Sequence, residues 1–296
     1  MTDIVTKPAL SVVISTRDKV SDVIPRLGNL LRQVQAIDGE LIVISGAVED
    51  DDTAPSGIRV HRIPGASIFD CRAAAFSVVS ADIVALTEDH CVHPEGWCAR
   101  ILRTFSARSR LVMLGGAVVN GSTGRIEDLM NYWMTFATFA PNQVTARHPC
   151  VAQFIVKAPA LERPLKPGGL ESAMIQKFER IPGAIYVDPE LRVRHDQSHG
   201  FFNTFVVHFH NGRATAGFSP RRVGDRNLAI GKALWRSWKD SKAHFQRSRQ
   251  AFMAGNKSTL ATTAYLLMIL PLILAHGIGE FVGYHKGPVQ SPYRLV

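Results

Sequence analysis

Short apolar runs rich in Val, Ile and Leu recur at 10–15, 41–44, 83–86, 111–119 and 151–156, and Ile58 to Ile63, with polar residues interleaved, reads as a further strand. A run with no polar alternation suits a strand covered on both faces, as in a parallel sheet flanked by helices. Between the first two runs, Ser21 or Asp22 can cap a helix in which Ile24, Leu27, Leu31 and Val34 recur at helical spacing. Arg72 to Val79 reads as an Ala-rich helix leading into the run at Ile83, and Ile101, Leu102 and Phe105 suit another. Strands alternating with helices predict an α/β architecture, a mostly parallel sheet with right-handed crossovers.

Further along, Asp128 to Phe139 carries Tyr132, Trp133, Phe136 and Phe139. This segment reads equally as an acceptor platform or as a helix packed on the sheet. Pro159 to Gly169 is a Pro/Gly-rich loop and Glu171 to Arg180 a helix. Strands at 185–187 and 191–194 then lead to His195, and His199, His208 and His210 come after it without the spacing of a dedicated zinc motif.

The chemistry concentrates between Ile83 and Trp97. Thr87 to His90 places two carboxylates and an imidazole at a strand's end, and Pro94 with Gly96 breaks the chain before a helix. In open α/β sheets ligands bind outside the carboxyl ends of the strands. An imidazole beside carboxylates makes a ligand set of lower charge than carboxylates alone, which favours Mn²⁺ over Mg²⁺, an ion that prefers oxygen and water. A liganding His90 must be neutral, so activity is expected to fall towards acid pH.

Composition narrows the setting. A chain of 296 residues has room for a large α/β domain and an appendage. Cys71, Cys91, Cys98 and Cys150 have no paired spacing, which points to a reducing compartment rather than a secreted scaffold. Residues 1–8 are polar and run at once into a strand, so neither signal peptide nor N-terminal anchor is expected. Much of the net charge of +9 sits between Arg221 and Arg249, where nine Lys or Arg face Asp225 and Asp240. Such a block suits an anionic bilayer, an acidic partner or solvent; no nucleic-acid-reading motif accompanies it.

The apolar segment C-terminal to the basic block favours a membrane surface. From Ser258 to Gly279 there are 22 residues without Asp, Glu, Lys or Arg, about 33 Å as a helix, close to bilayer hydrocarbon thickness. Pro271, Thr262, Thr263 and His276 weaken a span, so an interfacial or re-entrant helix and a core or partner-docking helix stay open beside it. Trp235, Trp238 and Phe245 among the charges suit an interface-seeking amphipathic helix. The expected division is residues 1–218 as the catalytic domain and 219–296 as a basic amphipathic and apolar C-terminal helical extension.

In order, Leu10-Ser-Val-Val-Ile-Ser-Thr-Arg17, Glu40-Leu-Ile-Val-Ile44, Arg72, Thr87-Glu-Asp-His90 with Pro94 and Trp97, Gly169-Leu-Glu171, and Pro189 to His195 resemble the family-two inverting glycosyltransferases of GT-A fold, over roughly residues 9–200. Its membrane-associated polysaccharide enzymes are the nearest kind. The resemblance implies a Rossmann-like, mostly parallel mixed sheet, a nucleotide-sugar donor and a divalent metal. It places Thr16, Arg17, Arg72, Glu88 and Asp89 at the donor, Asp89, His90 and His195 at the metal, and Glu171 as the base that activates an acceptor hydroxyl. Glu88 and His90 depart from the family's Asp-x-Asp, and Ser45-Gly46-Ala47 replaces the acid expected after the second strand, for which one of Glu49 to Asp52 can compensate.

With the apolar tail, the expected acceptor is a polyprenyl-linked glycan at the cytoplasmic face of the inner membrane. A homo-oligomer or partner transferase fits the same setting. The departures also suit a degenerate, noncatalytic subunit. No Gln-x-x-Arg-Trp motif is present, which argues against a processive synthase.

Overall fold

The structure, a computed structural model, describes residues 7–48, 56–141, 144, 146–160, 170–219, 228–254 and 258–295. The acidic loop Glu49 to Asp52, most of the loop 159–169, and Arg221, Arg222 and Arg226 lie outside the described residues.

The chain begins with β1 (Ser11–Thr16), wholly buried, then α1 (Val20–Val23). The single helix expected here is split. A 3₁₀ turn at Ile24–Arg26 contains Pro25, and helix resumes only as α2 (Gly28–Gln35), because proline supplies no N–H to an interior turn. Next along the chain are β2 (Glu40–Ser45), β3 (Ile58–Arg62), α3 (Ile68–Val78), β4 (Ile83–Glu88), the short β5 (Cys91–Val92) and α4 (Trp97–Ala107). Gly96, at φ 80°, supplies the left-handed residue that starts α4. Then come β6 (Met113–Asn120), α5 (Ile126–Phe136), β7 (Gln153–Lys157), α6 (Leu170–Phe178) and β8 (Ile185–His195). The two strands expected around Pro189 are one strand.

The sheet order is β3-β2-β1-β4-β7-β6-β8-β5. β1 pairs in parallel with β2 and β4, and β2 with β3, while β7 runs antiparallel to β4 and β6. The α/β mixed sheet, parallel over β3-β2-β1-β4, is therefore as expected. Strand order reverses at β1, whose register sets Ser15 beside Ile44 on one side and Glu88 on the other. That is a topological switch point, where the loops leave in opposite directions.

By contacts the chain divides into two compact units, 1–116 with 147–193, and 117–146 with 194–296. In the first, Val13, Ile42, Leu86, Phe154 and Val156 from the sheet pack with Phe76 and Phe178 from helices. The second is helical, with α5, α7 (Phe201–Phe218), α8 (Ile230–Ala254) and α9 (Thr259–Lys286). α7 was not among the helices expected from the sequence, although Phe201, Phe202, Phe205, Val206, Val207 and Phe209 open it. Gly212 faces the His276 carbonyl and Gly279 the Phe209 carbonyl so closely that a side chain at either would collide, and α7 and α9 pack nearly backbone to backbone. The aromatic segment of α5 is core: Trp133 meets Phe252 and Tyr265 edge-on, and the buried Tyr132 hydroxyl donates to the Val118 carbonyl at 2.7 Å. It is thus the packed helix and not the acceptor platform. α9 is long and apolar enough to cross a membrane by length and composition, and 39% of its most apolar window is buried inside the protein.

Candidate active site

The carboxyl ends of β1 and β4 carry the candidate chemistry. β4 ends at Glu88, and Asp89 and His90 form the turn into β5. Arg72 is set on α3, whose start is fixed by a capping box: the Ser67 hydroxyl accepts from the Asp70 amide, and the Asp70 carboxylate accepts from the Ser67 amide.

These side chains form a continuous polar chain within the first unit. The Thr16 hydroxyl donates to Asp89 Oδ2. His90 Nδ1 lies 2.8 Å from Asp89 Oδ1, and its Nε2 lies 3.5 Å from Glu88 Oε2. Arg72 Nη2 donates to Glu88 Oε1 at 2.8 Å, and Nη1 reaches Glu171 Oε1 at 3.5 Å. All are largely buried; the Arg72 side chain is 6% exposed.

That chain sets the electrostatics. Burial opposes charge on His90, but hydrogen bonds and charge from Asp89 and Glu88 outweigh it and raise the imidazole to about 10. Burial likewise works to raise Asp89, yet His90 and the Thr16 hydroxyl hold it below the usual carboxylate range. Without a metal, His90 is thus an imidazolium shared by two carboxylates.

No family model matches the sequence, and no curated protein matches it. Among solved structures, a mannosyltransferase from Pyrobaculum calidifontis in complex with GDP-Man and Mn²⁺ superposes with a TM-score of 0.56 at 13% identity, covering 95% of this chain and 88% of that one. The fold is that of the GT-A glycosyltransferases. Glucosyl-3-phosphoglycerate synthase from Mycobacterium tuberculosis, in complex with phosphoglyceric acid, aligns at 19% identity over 64% of this chain and 73% of that one, with a TM-score of 0.45.

Within this GT-A sheet Thr16, Arg72, Glu88, Asp89, His90 and Glu171 come together in the first unit. Arg72, expected on the donor diphosphate, lies buried between the carboxylates of Glu88 and Glu171. Arg17 is half-buried and its charge reaches the Cys71 thiol. His195 ends β8 in the second unit, buried with its ring 4.6 Å from Phe136.

The donor chemistry fits a divalent ion. Glu88 and Asp89 supply hard oxygens, and His90 adds an imidazole that must first lose its proton.

Two supporting groups escaped the sequence reading. Asp18, whose amide donates to Thr16 Oγ1 at 3.0 Å, has its carboxyl raised by partial burial and then by Asp89. His93, fully buried, stands 3.0 Å from the Thr87 hydroxyl, and burial lowers it to about 3. It is a neutral prop behind β4. Only its nearness in sequence to the triplet could have singled it out.

Proposed function

We propose that this protein is a nucleotide-sugar-dependent glycosyltransferase that moves one sugar, with inversion, to a polyprenyl-linked glycan acceptor during envelope polysaccharide assembly. The observation that carries the reading is the polar chain from Thr16 through Asp89, His90, Glu88 and Arg72 to Glu171, built on a GT-A switch point.

Each residue has a task in that reaction. Glu171 takes the proton of the acceptor hydroxyl, whose oxygen attacks the anomeric carbon from the face opposite the departing nucleoside diphosphate. Arg72 orients Glu171 and Glu88 together, so base and donor site share one anchor. Thr16 fixes the rotamer of Asp89. Glu88, Asp89 and His90 would hold Mn²⁺ in preference to Mg²⁺, and a bound divalent ion supplies charge to the leaving diphosphate.

The acceptor and location rest on the C-terminal helices. On α8, Trp235 and Trp238 are exposed, with Lys239 and Lys242 lying 5.3 and 5.2 Å from their respective rings. On α9, Leu260, Leu267, Leu274 and Ile278 are exposed. Aromatic and basic side chains beside exposed leucines suit the boundary of an anionic leaflet. We place residues 219–296 against the cytoplasmic face of the inner membrane, where a lipid-linked acceptor is presented.

A second reading, a noncatalytic GT-A subunit bound to a partner transferase, draws on the same contacts: Glu88 and Asp89 are already bonded to Arg72, His90 and Thr16. Calorimetry with nucleotide sugars, in Mn²⁺ and in chelator, separates the two. Metal-dependent binding of one donor, lost in Asp89→Asn, supports the enzyme. No binding to any donor favours the subunit.

A further inference from the structure

Within the helical unit α7 and α9 run side by side in the same direction. Gly279 of α9 faces the Phe209 carbonyl of α7, and Gly283, one turn on, faces the Arg213 carbonyl, also one turn on. α8 runs the other way along the whole of α9. His285 Nδ1 meets the Leu228 carbonyl just before α8 begins, the Ser237 hydroxyl donates to the Gly277 carbonyl, and Phe252 near the end of α8 stacks on Tyr265.

What these neighbours leave uncovered on α9 is apolar. Leu260, Leu267, Leu270, Leu274 and Ile278 are exposed and recur at steps of three, four or seven, which is one face of a helix over about 27 Å. The uncovered edge of α7 continues it. Phe202 and Val206 are 84% and 49% exposed and stand in one row with Phe209. Counted back from the contact of Phe209 with Gly279, they lie level with Leu272 and His276, between Leu270 and Ile278. The Phe202 ring meets Phe201, Phe201 meets Phe205, and Phe205 packs on the cluster of Ile269 and Leu272.

We propose that these two edges form one apolar face lying in the plane of a single anionic leaflet, so that α9 enters the membrane sideways and does not cross it. Resting on the membrane placement proposed above, this contact goes beyond it: it begins at Phe201, ahead of residue 219, and it excludes a span. Lipid is the occupant because the helix beside the face is cationic. α8 carries six Lys or Arg against Asp240 alone, a complement to anionic headgroups at the rim of an apolar surface. The same helix forbids crossing. Because α8 follows α9 from end to end, a spanning α9 would carry Lys239, Lys242, Arg247 and Arg249 into hydrocarbon, where charge is costly, whereas an in-plane α9 leaves them at the headgroups.

The test uses full-length protein carrying Phe202→Cys, Leu260→Cys, Leu267→Cys or Ile278→Cys, each labelled with an environment-sensitive fluorophore; the four native cysteines are buried, and wild type treated with the same reagent is the control. On phosphatidylglycerol vesicles with quenchers either near the headgroup or at the acyl-chain end, all four labels should be quenched more by the shallow set. Phe202→Ser with Val206→Ser should weaken vesicle affinity by about tenfold or more, with Tm unchanged. Deep quenching at Leu267 beside shallow quenching at Leu260 and Ile278 means that α9 crosses, and wild-type affinity in the α7 pair removes α7 from the face; either result overturns the in-plane face and leaves membrane binding standing. Wild-type protein that binds no vesicle overturns both, and a stable dimer found in that case, broken by the α7 pair, would make a second copy the occupant.

Discussion

Arg72 donates to Glu88 across 2.8 Å while its other terminal nitrogen faces Glu171 at 3.5 Å, so one buried guanidinium holds two carboxylates that lie 83 residues apart. Burial works against the Arg72 charge, and the two carboxylates outweigh it and raise its pKa. Removing the cation takes an ion-pair partner from both acids in a site with little water, and leaves Glu88 facing His90 at 3.5 Å. Arg72→Leu is expected to cost about 3–5 kcal/mol in urea unfolding, and Arg72→Leu with Glu88→Gln and Glu171→Gln should recover much of it. A triple variant no more stable than the single one would remove Arg72 from this role.

Replacing the Glu171 carboxylate by an amide should separate catalysis from binding. Glu171→Gln is expected to lower turnover by about 10²–10⁴ while leaving donor affinity within a few-fold of wild type. Normal transfer by this variant would exclude Glu171 as base. A parallel loss of donor binding would mean that Glu171 acts on Arg72 rather than on the acceptor.

The triplet makes pH and metal act against each other. His90 is raised from its ordinary 6.5 to about 10. Its contribution to stability in the metal-free protein is therefore fully present below about 6.5 and is lost as pH rises through 10. Comparing unfolding of wild type and His90→Gln in chelator should show a gap that narrows over that window. Metal binding must expel the same proton, so Mn²⁺ affinity should climb between neutral pH and about 10. Affinity that is flat with pH would mean the ion is held without His90, and higher turnover with Mg²⁺ at equal free concentration would count equally against the imidazole as ligand.

How far the sequence revealed these features depended on how local each was. Glu88, Asp89 and His90 are adjacent, and the apolar run before them marks a strand end without further information. The partnership of Arg72 with Glu171 is not of that kind, since it exists only once α3 and α6 meet the same sheet edge. Pro25 was in plain view, yet the periodicity of Ile24, Leu27, Leu31 and Val34 concealed the break it makes. α7 was missed for a physical reason: its large apolar residues are not its buried ones, since Phe201, Phe202 and Val206 are exposed while the buried positions are the small or polar Thr204, His208, Gly212, Ala214 and Ala216. For the α5 aromatics the sequence left two readings level. Partners more than a hundred positions away decided between them, notably Phe252 and Tyr265, stacked on each other at 4.1 Å and both touching Trp133.

Membrane contact through α8 should separate into an apolar and an electrostatic part. Trp235 and Trp238 are about 60% exposed, an unusual state for indoles in a protein surrounded only by water, and Lys239 and Lys242 stand over their rings. If the helix lies at an anionic leaflet, the indoles enter the interface and the lysines meet lipid phosphate. In co-sedimentation with vesicles containing phosphatidylglycerol, Lys239→Glu with Lys242→Glu should weaken binding markedly at low salt, with the difference shrinking as salt rises. Trp235→Ser with Trp238→Ser should weaken it at every salt concentration, because burial of indole does not depend on screening. Wild-type binding to neutral and anionic vesicles alike, unaffected by either pair, would assign membrane contact to α9 alone. No binding to any vesicle would move the acceptor out of the bilayer.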